Sequence, residues 1–221
     1  VRPDPQEETL YVRKLSIVDS VWILITGSGD SFFFSQDGLT WQRSQAPEFH
    51  STYDYSTTDD VVYFNGQWLW RLTERAEYSY VEKGIIFDST KTSYYYKPLI
   101  YSAERLDGAW SRWDGTPNLS EGVEVKSMRS LPGLPCLLLF CSYNYSYIRD
   151  KKKNDAKSFV NYYLPGKSGR TCSWGSDENH FDDPLITRMS GKLMCFYWDQ
   201  LLTSDKGYDW KLQSQKLLVD S

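Results

Sequence analysis

Short apolar runs alternate with turn signals along the whole chain. Val21-Trp22-Ile23-Leu24-Ile25-Thr26 reads as a strand, and Gly27-Ser28-Gly29-Asp30 as the break after it. A second strand, Ser31-Phe32-Phe33-Phe34, leads into a turn over residues 35–41 that ends on Trp41. The order recurs late in the chain, where residues 191–198 form a strand and residues 204–210 a turn ending on Trp210. Two longer copies lie between them. One runs from residues 67–72 through 100–102 to Asp107-Gly108-Ala109-Trp110, and the other from 136–141 through 160–164 to a turn at 168–174. Each copy follows one more apolar segment, at 14–18, 61–64, 123–126 and 184–187.

Each unit therefore reads as three strands, a turn and a Trp-bearing fourth strand. Self-similarity at this spacing predicts an all-β fold, a β-propeller of four-stranded antiparallel blades, about four to six in number. The expected blades fall at about 10–44, 60–113, 123–175 and 184–213 of one domain covering residues 1–221. Evenly spaced strands also suit a sandwich, but a sandwich does not repeat one Trp-terminated turn.

The turns resemble the Asp box, Ser/Thr-x-Asp-x-Gly-x-x-Trp, of sialidase-like, bacterial-neuraminidase-repeat propellers. Thr203, Asp205, Gly207 and Trp210 match it, and Ser35, Asp37, Gly38 and Trp41 match one residue tighter. Asp107-Gly108-Ala109-Trp110 is a partial copy, and 168–174 lacks the Asp. In such a turn a carboxylate accepts loop N–H groups, Gly takes the positive-φ position and Trp packs between sheets. The resemblance implies that these residues serve the fold and lie on the face opposite the binding site. A sialidase further needs three arginines, a Tyr–Glu pair and a Phe/Tyr-Arg-Ile-Pro motif. The motif is absent here, and Arg71, Arg129 and Arg188 fall on separate blades.

Antiparallel order places the insertions 73–97 and 142–158 on the same face as the linkers 46–60, 114–121 and 176–183. That face is expected to carry a rim of tyrosine and acid. Its candidate binding residues are Tyr53, Asp54, Tyr55, Asp59, Asp60, Tyr78, Tyr80, Tyr143, Tyr145, His180, Asp182 and Asp183. Tyrosine gives large contact area at low entropy cost and a hydroxyl for hydrogen bonding. One reading is a non-catalytic module that binds a protein through this rim, as an immunity or inhibitor protein does. The other is a glycan-binding or glycan-hydrolysing propeller. Hydrolysis needs two acids about 5–10 Å apart, and Asp183, Asp60 and Glu121 are the candidates. Asp182-Asp183-Pro184 resembles the Asp-Pro that opens blades in some five-bladed glycoside hydrolases.

Composition narrows the choice only modestly. Aromatics reach 16%, with 17 Tyr and 9 Trp, which favours half-buried sheet. A net charge of −4 gives no attraction to phosphate backbones, so no nucleic-acid partner is expected. No apolar run reaches the ~20 residues of a spanning helix, so no membrane partner is expected. His50 and His180 stand in different linkers and predict no metal site. Cys136, Cys141, Cys172 and Cys195 fit no zinc spacing, and buried thiols or one disulfide both remain open. No phosphate loop, dinucleotide fingerprint or nucleophile elbow is present, so no cofactor is expected. The start at Val1 fits a removed leader or a trimmed chain, which leaves secreted, periplasmic and cytoplasmic locations open.

Overall fold

The computed structural model describes residues 12–26, 31–44, 56–84, 87–115, 119–131, 133–144, 147, 158–174, 184–197 and 200–214; the side chains of 56–58, 174, 197 and 214 are outside that description. Among the described residues, sixteen strands form four separate four-stranded antiparallel sheets, each in sequence order. The first blade is β1 (Val12–Val18), β2 (Val21–Thr26), β3 (Phe32–Ser35) and β4 (Gln42–Arg43). The second is β5 (Ser56–Phe64), β6 (Gln67–Glu82), β7 (Ser89–Ala103) and β8 (Ser111–Arg112). The third is β9 (Val123–Ser130), β10 (Leu137–Tyr143), β11 (Ser158–Leu164) and β12 (Lys167–Trp174). The fourth is β13 (Leu185–Met189), β14 (Lys192–Tyr197), β15 (Gln200–Ser204) and β16 (Lys211–Ser214). The fold is all-β, built of propeller-type four-stranded blades.

The chain divides into two compact units, residues 1–75 with 98–118, and residues 76–97 with 119–221. That the four blades act as one domain stays a proposal. In the first unit Ile23, Ile25, Phe32 and Phe34 of the first blade meet Trp68, Trp70, Leu72 and Trp110 of the second. These residues alternate along their strands, so one face of each sheet supplies the shared core. The rings pack edge to face, Phe32 lying 5.0 Å from Trp70 and Trp70 5.2 Å from Trp110. Trp110 also donates its indole N–H to Ser44 Oγ at 3.1 Å. The second unit repeats the plan with Cys136, Leu138, Phe140 and Val160 against Leu193, Cys195, Leu202 and Trp210.

The first-to-second-strand turns share one geometry in three blades. Asp19-Ser20, Asn65-Gly66 and Ser190-Gly191 all have two successive positive φ angles. That is the type I′ hairpin, whose twist matches the strands it joins.

Four expectations change. Residues 73–97 form the distal half of a long β6–β7 hairpin, because alternating Tyr, Val and Thr continue the strands beyond the blade. Residues 168–174 belong to β12; the turn before it is the tight Pro165-Gly166, with Gly166 at φ 74°. Trp110 and Trp210 are buried, yet Trp41 is 36% exposed. In each unit the Trp of the second blade packs onto the blade before it, and among the described residues of its unit Trp41 has no preceding blade. The Trp174 side chain lies outside the described residues.

The box itself differs from expectation. Residues 35–41 and 204–210 are turns of equal length, and in both the serine Oγ accepts the glycine N–H, at 2.9 Å for Gly38 and 2.7 Å for Gly207. Asp37 accepts Leu39 N at 2.8 Å and Thr40 N at 2.7 Å, as a box carboxylate does. In the late turn the carboxylate is that of Asp209, which accepts Lys206 N at 3.0 Å and the Ser204 hydroxyl. Asp205 is exposed and lies 3.9 Å from Lys192. The acid has moved from the third position of the turn to the sixth and still reaches the same loop.

Candidate functional site

Blades one to three each carry one extra residue in the first strand. The register steps from Val12↔Thr26 to Lys14↔Ile25, from Thr58↔Leu72 to Asp60↔Arg71, and from Ser127↔Phe140 to Val125↔Cys141. The extra residues are Arg13, Asp59 and Lys126, all charged. A bulge re-aims side chains that a regular strand would send to opposite faces. Asp59 and Asp60 consequently both reach Arg71. Its Nε and Nη2 donate to Asp60 Oδ2 at 3.0 and 2.8 Å, and its Nη1 to Asp59 Oδ2 at 3.0 Å. Lys14 donates to Asp60 Oδ1 at 2.8 Å, Arg13 pairs with Asp59 Oδ1 at 3.0 Å, and the Thr73 hydroxyl donates to Asp59.

The second unit holds a smaller counterpart. Glu124 pairs with Lys126 at 2.6 Å and accepts Asn144 Nδ2 at 2.8 Å and Tyr96 N at 3.0 Å. Glu121 accepts the Tyr147 hydroxyl at 3.0 Å. Tyr147 stands 5.0 Å from Tyr78 and 6.1 Å from Tyr95, and burial pushes the Tyr95 phenol up.

The candidate residues thus part company. Asp59 and Asp60 come together, but Asp60 is 2% exposed and both its oxygens are held by cations. Hydrolysis needs one acid that gives a proton across the scissile bond from a second carboxylate. Two neighbouring carboxylates shared by one guanidinium do not offer that pair. Tyr78 and Tyr143 are buried, which corrects their expected place on an accessible rim. Tyr78 packs on Tyr147 and Tyr95, and Tyr143 on Phe159 at 5.9 Å. Tyr80 is half-buried, 6.2 Å from Tyr78. Tyr53, Asp54, Tyr55, Tyr145, His180, Asp182 and Asp183 lie outside the described residues. The four cysteines are free thiols, and burial pushes those of Cys136, Cys172 and Cys195 up to about 12, so they are unreactive at neutral pH. Among the described residues no three His, Cys, Asp or Glu group to hold a metal.

A different feature has the form of a binding site. A cleft of about 550 Å³ opens in the first unit beside the 35–41 turn. One wall is Gln36, Asp37, Thr40 and Gln42; the other is Glu104, Arg105 and Asp107. Val21, Phe34, Trp68 and Leu106 supply its apolar lining. Two of its carboxylates are already committed. Backbone N–H groups of Thr40 and Leu39, and the Ser35 hydroxyl, hold the Asp37 carboxyl well below the usual range. The Arg105 guanidinium does the same for Asp107 through two hydrogen bonds of 2.9 and 2.8 Å.

No family model matches this chain, and no curated protein matches it. Among solved structures it is similar to a xylan β-1,4-xylosidase from Bacillus halodurans C-125, at 14% identity over 95% of this chain and 43% of that one, with a TM-score of 0.49. It is also similar to a thermostable family-43 glycoside hydrolase, at 10% identity over 93% of this chain and 76% of that one, with a TM-score of 0.48. The chain spans less than half the length of the xylosidase.

Sequence reasoning missed this cleft because it set the turns aside as fold residues. Its walls come from turns 60 or more residues apart, and no linear motif joins Gln36 to Arg105. One signal was available: the 35–41 and 107–110 turns are copies of one element, so neighbouring blades bring them side by side.

Proposed function

We propose that the chain is a glycan-binding module and that the cleft beside the 35–41 turn is its binding site. The observation that carries this reading is the composition of the cleft. Gln36, Thr40 and Gln42 each both donate and accept hydrogen bonds, as sugar hydroxyls do. Half-buried Val21 offers apolar surface for the C–H face of a ring, and the buried Trp68, Phe34 and Leu106 back it from the core. The volume lies in the range of small-ligand sites, about 300–1,000 Å³. The Asp37 hydrogen bonds fix one wall in advance, which lowers the entropy lost on binding.

Binding rather than hydrolysis follows from the same acids. Asp37 and Asp107 are both held as carboxylates, and neither is a proton donor at neutral pH.

The test is titration calorimetry with xylohexaose, cellohexaose and galactohexaose. At least one should bind, and Gln42→Ala and Thr40→Ala, both exposed, should weaken it by about tenfold, or ~1.4 kcal/mol, with the thermal midpoint unchanged. Release of reducing sugar, or no binding of any neutral oligosaccharide at millimolar concentration, would overturn the reading.

A further inference from the structure

We propose that Asp107 is a specificity-determining residue, which restricts the cleft to neutral saccharides by occupying the Arg105 guanidinium. The inference rests on the glycan-binding reading of that cleft and names the class of glycan it takes.

Four charged side chains line the cleft: Asp37, Glu104 and Asp107 against Arg105. Three negative charges against one positive leave the lining net negative, which opposes an acidic ligand. Arg105 is the one group in the lining able to receive a sugar carboxylate. A guanidinium binds carboxylates as a planar fork, with two parallel N–H donors. That fork is filled, because Nε donates to Asp107 Oδ1 at 2.9 Å and Nη2 to Asp107 Oδ2 at 2.8 Å.

An exposed ion pair is ordinarily weak, since two long side chains must be immobilised in water. Here the partners stand two residues apart on one turn, closed by Gly108 N donating to Arg105 O at 3.1 Å. Little further freedom is lost when they meet. A uronate would have to displace Asp107 from the Nε–Nη2 edge of Arg105, or take the remaining Nη1 edge beside the Asp107 and Glu104 carboxylates.

A cationic ligand is the competing occupant, since carboxylates and an indole both attract cations. The commitments of the acids argue against it. Asp37 is spent on two backbone N–H groups and Ser35, and Asp107 on Arg105. Besides Glu104, the remaining polar groups of the lining are neutral amides and two hydroxyls.

The experiment measures binding of xylohexaose, hexagalacturonate and a lysine hexapeptide to the full chain and to Asp107→Asn. The parent protein should bind the neutral sugar with an affinity that changes less than about twofold between about 20 and 500 mM sodium chloride, because no ligand charge is screened. It should bind hexagalacturonate at least about tenfold more weakly. Asp107→Asn should raise the affinity for hexagalacturonate relative to that for xylohexaose by about tenfold or more. Adding Arg105→Gln should abolish the gain, and Asp107→Ser should reproduce it. Equal binding of acidic and neutral sugars by the parent, no gain in Asp107→Asn, or tighter binding of the lysine peptide would each overturn the inference. Failure of the parent to bind any neutral sugar would overturn the glycan reading itself, and this inference with it.

Discussion

A carboxylate can serve a turn from more than one position, because different N–H groups of the loop can take its oxygen. Asp37 does so from the third residue of its turn and Asp209 from the sixth. Asp209→Ala should therefore destabilise the protein by about 1 kcal/mol, a figure kept low because the turn is partly solvated. Asp205→Ala should stay within about 0.5 kcal/mol; urea unfolding of both variants checks the pair. Burial pushes the Asp209 carboxyl up, but the Ser204 hydroxyl and Lys206 N–H outweigh it and leave the group below its ordinary value. A carboxyl lowered in the folded state contributes stability above its unfolded pKa of about 3.9 and loses it as pH falls through the folded value. The parent's advantage over Asp209→Ala should thus be full at pH 6 and shrink below about pH 4. Arg71 follows a harsher rule: Arg71→Leu leaves Asp60 to Lys14, and Asp59 to Arg13 and Thr73, and should cost about 3 kcal/mol, read by the same unfolding curves.

Among elements, bulges and turns decide where side chains go. The Asp59-Asp60 pair, assigned by sequence to the linker 46–60, lies inside β5, where the bulge at Asp59 turns both acids onto Arg71. Sequence does not mark a bulge, since the extra residue obeys no period. The Asp19-Ser20 turn shows the opposite case, where local chemistry runs against the geometry imposed on it. Ser20 sits at φ 65° in a place that its counterparts fill with Gly66 and Gly191. Ser20→Gly should stabilise by about 0.5–1 kcal/mol, seen as a raised thermal midpoint. Gly122 is tied more tightly: at φ 81° a Cβ there would stand 2.2 Å from the Tyr147 ring. Gly122→Ala should cost about 3 kcal/mol or more and expose the Tyr78–Tyr147 contact, which near-ultraviolet dichroism would register.

At the scale of the whole molecule, each unit buries a core of its own. The Phe32–Trp70–Trp110 cluster and the Phe140–Cys195–Trp210 cluster share no residue. Leu138→Ala should lower one calorimetric transition by several degrees and leave a second near its parent temperature, which requires scanning calorimetry with tryptophan fluorescence to assign. The sequence by itself determined the blades, because strand alternation, turn chemistry and the Trp-ended repeat are local properties with short periods. The four-stranded antiparallel units and most of their strands were legible for that reason. It also determined which residues carry charge at the start of each first strand. Only the tertiary structure decided what those charges do. Lys14, Asp60 and Arg71 come from three strands and 57 residues of chain, and their meeting neutralises Asp60, one of the three acids that the sequence offered for catalysis. The same holds for Tyr78 and Tyr143, whose burial depends on neighbours distant in the chain. The cleft is tertiary too, since Gln36 and Arg105 become opposite walls only when two blades pack. Packing joins surfaces by shape and area, and neither is written in a linear spacing.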